Sequence, residues 1–251
     1  MADNVRSVER MFDLLEILAE ERSPIGLTEL AERTSLSKTT VHRLLHTLCS
    51  RQYAEKTSNS KYFLGPKVIE LASYHISHLE LHRTAMPFLA ELYTKFRITV
   101  YLGKVVQEKV IFIELMDRNV LHDQLSSDSG LPAYPSGIGK CLLAAMSGDE
   151  LDEMMYQYPL RKYTDRTITD VNEYKQHLKL VRSQGWAIND EETVKGMRFV
   201  AAPIYDFTGS AIAGISIGGT LMELPDDKLH VLTEAVVETA DAISKRMGYL
   251  P

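Results

Sequence analysis

The sequence predicts an α+β protein in which a helical N-terminal part precedes a longer part that mixes strands and helices. Apolar residues recur at helical spacing through most of the first hundred residues. From Ile98 the pattern changes to β-rich runs such as ITVYLGKVV and KVIFIELM. Two further runs, FVAAPIYD and AIAGISIGG, are separated by a short turn. Together these runs predict a mostly antiparallel sheet flanked by helices.

Two short helices are predicted between residues 27 and 50, with a break at Ser35-Leu36. Thr28 stands just before the first helical pattern, and Ser37 is a candidate N-cap of the second helix. The second helix has an apolar side and a cationic, hydroxyl-rich side. The apolar side carries Val41, Leu44, Leu45 and Leu48, and the other side carries Lys38, Thr39, His42, Arg43 and His46. This arrangement is the helix-turn-helix pattern.

A hairpin is predicted directly after the second helix, with strands at residues 53–56 and 61–64 around a turn of Thr, Ser, Asn and Ser. A hairpin in this position is a wing. Between Arg33 and Lys67 there are seven basic residues and one acidic residue, Glu55, in a chain whose net charge is -6. Isolated cations on a helix usually indicate only a solvated face. Combined with the helix-turn-helix pattern and the wing, however, the charges favour a DNA-binding surface.

Helical patterns at residues 67–81 and 83–96 connect the helix-turn-helix and wing to the predicted sheet. We expect these helices to act as a linker that also dimerises. No apolar run approaches the roughly 20 residues that span a bilayer. The N-terminus has no signal-peptide pattern. Two cysteines far apart in the chain are typical of reduced thiols. We therefore expect a cytoplasmic protein without a membrane segment.

The segment SGIGK opens a predicted helix and offers free backbone N–H groups, which suit a carboxylate. The alternative is a loop in which the glycines only permit a tight turn. GIGK lacks the full phosphate-loop pattern, so we reject nucleotide hydrolysis.

Three other features have residue types that occur in functional sites. The histidines His75, His78 and His82 lie at helical spacing, but no cysteine or sufficient acid completes a metal site. The acids at positions 190–192 favour a solvated or structural turn. Cys141 stands near a helix N-terminus, which could lower its pKa, but an apolar contact is the safer interpretation. We find no nucleophile–base set, and predict no enzyme activity, no metal and no cofactor.

Five segments, in order, carry a resemblance to a known family: LTELAERTSLSKTTVHRLLHTL, KYFLGPKVIELA, SGIGKCLLA, NDEETVKGMRFVAAPIYD and AIAGISIGG. With these segments the chain resembles a full-length IclR-family transcriptional regulator. The resemblance implies a winged helix-turn-helix domain at 1–66, a linker helix at 67–82 and a GAF-like effector-binding domain at 83–251. It also implies a homodimer or a dimer of dimers that binds double-stranded operator DNA, and we expect a repressor of a catabolic operon.

The predicted DNA contacts lie at the start and front of the second helix and on the wing. On the helix they are Ser37, Lys38, Thr39, Thr40, His42 and Arg43, and on the wing they are Lys56, Ser58, Asn59 and Lys61. Arg43 is the best candidate for a bidentate contact with guanine, whereas Lys38 and the hydroxyls are expected to position the backbone. For Thr40 and His42 the alternative role is capping or packing.

The predicted effector site begins with Ser136, Gly137, Ile138 and Gly139. The resemblance adds Asn189, Phe199, Ser216 and Gly218. Asn189 stands where the family often has aspartate, Phe199 where it often has cysteine, and Gly218 where it often has serine. We infer a weakly polar or aromatic acid as the effector. The competing hypothesis is a metabolite-sensing module or an enzyme whose head binds DNA without sequence preference.

Overall fold

The computed structural model describes residues 5–116 and 130–250 of the 251-residue chain. The chain forms two compact units that divide between His78 and Leu79. We call residues 5–78 the N-terminal unit and residues 79–116 and 130–250 the C-terminal unit, and describe each by itself.

The N-terminal unit is a small helical domain with a three-stranded antiparallel sheet in the order β1-β3-β2. Its elements are α1 (Arg6–Glu20), β1 (Ile25–Gly26), α2 (Leu27–Arg33), α3 (Lys38–Ser50), β2 (Ala54–Lys56), β3 (Lys61–Leu64) and α4 (Lys67–His78). The core joins the apolar sides of the first three helices to the hairpin. Its buried members are Leu14, Leu18, Ile25, Leu30, Ala31, Val41, Leu45, Leu48, Ala54 and Tyr62.

The structure confirms the helix-turn-helix and the wing, with two local corrections. Helix α2 begins at Leu27 and has Gly26 as its N-cap, so Thr28 lies in the first turn and does not precede the helix. The run Ser23-Pro24-Ile25-Gly26 predicts a loop that ends the first helix, but Ile25 and Gly26 form a strand that pairs with Tyr62 and Lys61. A strand of two residues is too short to show the alternation by which strands are recognised.

The C-terminal unit is an α+β domain built on a six-stranded antiparallel sheet in the order β6-β5-β4-β9-β8-β7. The strands are β4 (Thr99–Val106), β5 (Lys109–Met116), β6 (Leu131–Pro132), β7 (Ala187–Asp190), β8 (Met197–Tyr205) and β9 (Ala211–Thr220). The helices are α5 (Glu80–Phe96), α6 (Gly137–Ala145), α7 (Gly148–Gln157), α8 (Val171–Gln184) and α9 (Asp226–Arg246).

The sheet separates two apolar cores because side chains alternate along each strand. Val100 and Leu102 of β4 face one core, which also contains residues of α5 and α9. Tyr101, between them, faces the other core, which contains residues of α6 and α8. The same alternation on β8 places Phe199 in the second core and Val200 in the first. The residues predicted for effector binding therefore meet on the α6 side.

The predicted boundary between the connecting helices was wrong. Leu79 has an extended backbone and is the N-cap of α5, so the first helix ends at His78 and does not reach Leu81. Leu81 is instead buried in the C-terminal unit. Apolar residues continue at helical spacing across this break, and no Gly or Pro marks it. No helix in the described ranges is long and apolar enough to cross a bilayer.

Candidate DNA-binding surface and effector cavity

Helix α3 begins with a capped first turn. The Ser37 Oγ accepts a hydrogen bond from the Thr40 amide at 3.2 Å and lies 2.9 Å from the Thr40 Oγ1. The prediction that Ser37 is the N-cap is therefore confirmed. Because these two hydroxyls bond to each other, they hold the helix start, while Lys38 and Thr39 between them are exposed.

The cations of α3 and the wing are exposed and carry free charge. Lys38, Arg43, Lys56 and Lys61 form no ion pair with any residue in the described ranges, and His42 is exposed beside them. The ammonium of Lys56 lies 5.6 Å from the centroid of the Tyr62 ring, which is buried in the core. Such unpaired cations are available to phosphates.

Two members of the basic window are not available in this way. Arg33 pairs with Glu20 at 3.2 Å and also with Glu21, at the end of α1. Lys67 pairs with Glu70, one turn along α4, at 2.8 Å. The sequence predicted the net positive charge of residues 33–67. It did not indicate which of these basic side chains are in ion pairs.

The turn of the wing is held by its own side chains. The Thr57 hydroxyl donates to the Asn59 Oδ1, and the Lys61 amide donates to the Thr57 Oγ1 at 3.0 Å. Ser60 takes a left-handed backbone, with φ of 61°. Ser58 and Asn59 are exposed at the tip, so these bonds present a fixed loop to the solvent.

In the C-terminal unit a cavity of about 20 Å³ lies between the sheet and the start of α6. Six of the eight predicted effector residues line it, namely Ser136, Gly137, Ile138, Asn189, Phe199 and Ser216. The other lining residues were not predicted from the sequence. They are Tyr101, Val110, Phe112 and Leu131. The adjacent runs ITVYLGKVV and KVIFIELM predict the hairpin of β4 and β5, which the structure confirms. The pairing of β4 with β9, which brings these residues to the start of α6, is visible only in the fold.

Ser136, Gly137 and Ile138 at the start of α6 line the cavity, whose accessible wall is almost entirely apolar. The Ser136 Oγ accepts a hydrogen bond from the Gly139 amide at 3.0 Å and donates to the Ala133 carbonyl at 2.9 Å. The amides of Gly137 and Ile138 donate no hydrogen bond to any described residue. These two N–H groups lie at the positive end of the helix dipole, where an anion is favoured.

Gly139 and Gly218 do not line the cavity, and each is in tight contact with a neighbour. A Cβ on Gly139 would lie 1.8 Å from the Ala133 carbonyl oxygen, so the glycine lets the preceding loop pack against α6. A Cβ on Gly218 would lie 1.9 Å from Cδ1 of Phe199. Gly218 is thus the surface on which the Phe199 ring lies.

The side chain of Asn189 is occupied within its own turn. Its Oδ1 accepts from the Glu192 amide at 2.9 Å, and its Nδ2 donates to the Thr193 Oγ1 at 2.7 Å. Its contribution to the cavity is therefore to fix the turn after β7.

A buried ion pair, which the sequence analysis did not predict, lies behind the start of α6. Lys140 is fully buried, and its Nζ donates to the Ile188 carbonyl at 2.9 Å and to the Glu192 carboxylate. Burial lowers the pKa of Lys140 and raises the pKa of Glu192, while the contact between the two charges opposes both shifts. The pair ties α6 to the turn that follows β7.

His177 of α8 is affected by the same buried charge. Burial, with the nearby Lys140 ammonium, lowers the pKa of His177 to about 4. Its Nε2 is buried and has no hydrogen-bond partner among the described residues. The imidazole is consequently neutral at ordinary pH.

The other two acids of this turn are also in ion pairs, as expected for a structural turn. Asp190 contacts Arg198 at 2.7 Å and Arg166 at 2.6 Å. Glu191 lies 3.3 Å from Arg166 and accepts from the Gly196 amide at 2.8 Å.

The remaining candidates show no catalytic or metal geometry in the part of the chain that is described. Burial raises the pKa of Cys141 to about 12, so its position near the start of α6 does not activate the thiol. The His82 ring contacts Glu114 at 2.8 Å, His75 is exposed, and the side chain of His78 lies outside the described residues. No group of three or more potential metal ligands occurs among the described residues.

Comparison with known proteins gives two family matches that cover most of the chain. The IclR helix-turn-helix domain matches residues 7–58, and the C-terminal domain of bacterial transcriptional regulator IclR matches residues 73–245. The chain is 34% identical over 250 residues to the HTH-type transcriptional regulator KdgR of Dickeya chrysanthemi, covering 98% of this chain and 81% of that one.

Solved structures show the same architecture. An IclR-type regulator from Alicyclobacillus acidocaldarius superposes with a TM-score of 0.84 at 25% identity, covering 98% of this chain and 100% of that one. An IclR homologue from Microbacterium hydrocarbonoxydans complexed with 4-hydroxybenzoate superposes with a TM-score of 0.82 at 22% identity, covering 96% and 98%.

Proposed function

This chain belongs to the IclR family of bacterial transcriptional regulators, and from that premise we propose that it represses a catabolic operon until a small organic acid enters the cavity of the C-terminal unit. The observation that carries the DNA-binding half of the proposal is a set of exposed cations on α3 and the wing that form no ion pair within residues 5–116 and 130–250. These are side chains that a DNA backbone can neutralise without breaking any internal ion pair.

In this proposal α3 enters the major groove with its capped first turn towards the DNA. Arg43 carries a planar guanidinium that fits the O6 and N7 of guanine, and it supplies base specificity. Lys38 and Thr39 contact phosphate and fix the register. Lys56 and Lys61 bring the wing to the adjacent backbone, with Ser58 and Asn59 at its tip. Ser37 and Thr40 act indirectly, through the cap.

We further propose that the operator is bound by a homodimer or a dimer of dimers. The N-terminal unit exposes large apolar side chains on α1 and α4: Phe12 is 54% exposed, Ile69 is 70% exposed and Leu71 is 46% exposed. A second copy of the chain is a suitable cover for such residues, because two-fold pairing also doubles the DNA contact. Phe12→Glu should lower the mass measured by sedimentation equilibrium at a given protein concentration, and Glu16→Gln on the same helix should not.

The effector is proposed to be a weakly polar or aromatic carboxylate. The free amides of Gly137 and Ile138 suit the carboxylate. The rings of Tyr101, Phe112 and Phe199 form the apolar wall, with centroid distances of 5.3 Å and 5.8 Å from Tyr101 to the other two. The 4-hydroxybenzoate bound to the Microbacterium homologue belongs to this chemical class.

Control of DNA binding then follows from differential affinity. An effector that binds one dimer geometry better than another shifts the population towards that geometry. If that geometry places the two N-terminal units at the wrong separation for the half-sites, the operator is released.

The test is a genomic fragment selection with purified protein, followed by a gel shift on the best fragment at stated salt. We expect a palindromic site near genes for the use of an organic acid, and release of that site by the acid. Binding that is sensitive to salt but indifferent to sequence would contradict the proposal and favour a sensing module or an enzyme with a non-specific head.

A further inference from the structure

The cavity at the start of α6 is too small for any organic effector in its present form. Its volume of about 20 Å³ has room for roughly one water molecule. An apolar cavity of about 150 Å³ is what admits a benzene-sized molecule. Some wall of the cavity must therefore move before a ring and a carboxylate can enter.

The Phe199 ring occupies the space that an effector ring would need. Phe199 and Gly218 are direct cross-strand partners on β8 and β9. The ring lies flat enough on Gly218 that a Cβ there would be 1.9 Å from Cδ1 and 2.4 Å from Cε1. Tyr101 contacts the other side at a centroid distance of 5.8 Å, edge to face. Phe199 is only 6% exposed, so the ring is enclosed in the cavity wall.

We propose that Phe199 is a resident plug of the effector cavity, which a monocyclic aromatic carboxylate displaces when it binds. This inference rests on the effector site proposed above and names the class of its ligand. Phe199 is thereby the residue that determines specificity. It reserves a ring-shaped space, and a ligand without a ring gains too few contacts to replace those that Phe199 gives up.

Three residues of the cavity wall, Ser136, Asn189 and Tyr101, are held more firmly than Phe199. Ser136 is fixed by two hydrogen bonds, and the side chain of Asn189 is fixed by its turn. Tyr101 is 1% exposed and lies between two rings. The phenyl group of Phe199 has no hydrogen bond to lose and has a glycine on one side. Rotation of this ring therefore breaks only dispersion contacts, which an incoming ring restores.

The plug explains why Gly218 accompanies Phe199. A side chain at position 218 would overlap the ring at position 199. The ring therefore requires a glycine at position 218. The two substitutions Gly218→Ala and Phe199→Ala should then be coupled. Gly218→Ala alone should lower Tm by about 5 °C, because overpacking strains the core. In the Phe199→Ala background the same change should shift Tm by no more than about 1 °C. Equal shifts in the two backgrounds would overturn the plug geometry.

The ligand test uses benzoate as the probe and calorimetric titration of the full chain. Phe199→Ala should bind benzoate at least about tenfold more tightly than the wild type, because no plug has to be displaced first. Phe199→Leu keeps more of the core volume and should show a smaller gain in the same direction. Val200→Ala is the control: this residue follows Phe199 on β8 but is buried in the core on the other side of the sheet, so its benzoate affinity should stay within about threefold of the wild type.

Weaker or unchanged benzoate binding in both Phe199 variants would overturn the inference, since Phe199 would then be a contact of the ligand or irrelevant to it. Operator release, measured on the same proteins, separates this result from failure of the regulatory proposal. If Phe199→Ala gains benzoate affinity while no acid releases the operator, the plug stands and the regulatory proposal fails. If a non-aromatic acid releases the operator while Phe199→Ala gains nothing, the regulatory proposal stands and the plug is overturned.

Discussion

Helices α3 and α6 start in the same way in the sequence and have opposite surroundings in the structure. Each begins after a serine whose Oγ accepts a hydrogen bond from the amide three residues later, Ser37 from Thr40 and Ser136 from Gly139. Each has a lysine within its first turn or just beyond it. Around α3 the lysine is exposed and unpaired, whereas Lys140 of α6 is fully buried and paired with Glu192.

In the proposed function, the two capped, cationic helix starts bind different kinds of partner. An exposed start offers both its dipole and its lysine to a large anionic partner such as DNA. At the buried start of α6, the carboxylate of Glu192 neutralises Lys140. The positive end of the helix dipole then remains for a single small anion. Burial and the placement of one carboxylate separate the two cases, and neither property can be derived from a short motif.

The largest expected difference between the two starts is in stability. Lys140→Ala leaves the Glu192 carboxylate buried and unpaired, and should lower the free energy of unfolding by about 3–5 kcal/mol. Lys38→Ala removes an exposed charge and should change it by less than about 0.5 kcal/mol. Urea unfolding of the two variants measures both values. A loss below about 1 kcal/mol for Lys140→Ala would mean that the pair is not desolvated.

The next largest effect is on operator affinity. Arg43→Ala should weaken operator binding by about 1–3 kcal/mol and relax the preference at one base pair. Arg33→Ala is the matched control, because Arg33 has the same charge but is already paired with Glu20 and Glu21. Fluorescence anisotropy with single-base operator variants provides the comparison. Similar losses for the two arginines would show that the division between paired and unpaired cations has no bearing on DNA binding.

The two caps should differ by a smaller amount. Ser136→Ala leaves the buried Gly139 amide without its hydrogen-bond acceptor and removes one of the two hydrogen bonds to the Ala133 carbonyl, and should cost about 2 kcal/mol of stability. Ser37→Ala leaves its partner exposed to water and should cost about 1 kcal/mol. Denaturant unfolding measures the loss of stability in each variant. A larger loss for Ser37→Ala would contradict the expectation that the buried cap contributes more.

The smallest effect is a pH dependence from His177. Its pKa is about 4 in the folded protein, against 6.5 for an unperturbed histidine. Between these values the unfolded chain binds more protons, so stability falls as pH drops from about 6.5 towards 4. After allowance for partial exposure, the wild type should lose on the order of 0.5–1 kcal/mol more between pH 7 and pH 5 than His177→Gln. Identical pH profiles for the two proteins would show that the histidine is not held neutral.

The sequence was sufficient wherever position alone determines the structure. The apolar side of α3, the Ser37 cap, the wing and the pairing of β8 with β9 follow from spacing, turn residues and β-rich runs. It was insufficient where long-range pairing decides. Nothing in the sequence indicates that Lys140 meets Glu192, that Asn189 is occupied by its own turn, or that Phe199 lies on Gly218. The helix break at Leu79 was not predicted because no glycine or proline marks it.

The most direct test of the account is the salt dependence of operator binding. Each phosphate neutralised adds about 0.9 to the slope of log affinity against log salt. Lys38→Ala, Lys56→Ala and Lys61→Ala should each reduce that slope by about 1, because these lysines form no ion pair with any residue that the structure describes. Lys67→Ala, whose lysine is paired with Glu70, should leave it unchanged. A slope that is insensitive to the three unpaired lysines, or reduced equally by Lys67→Ala, would contradict the proposed DNA-binding surface.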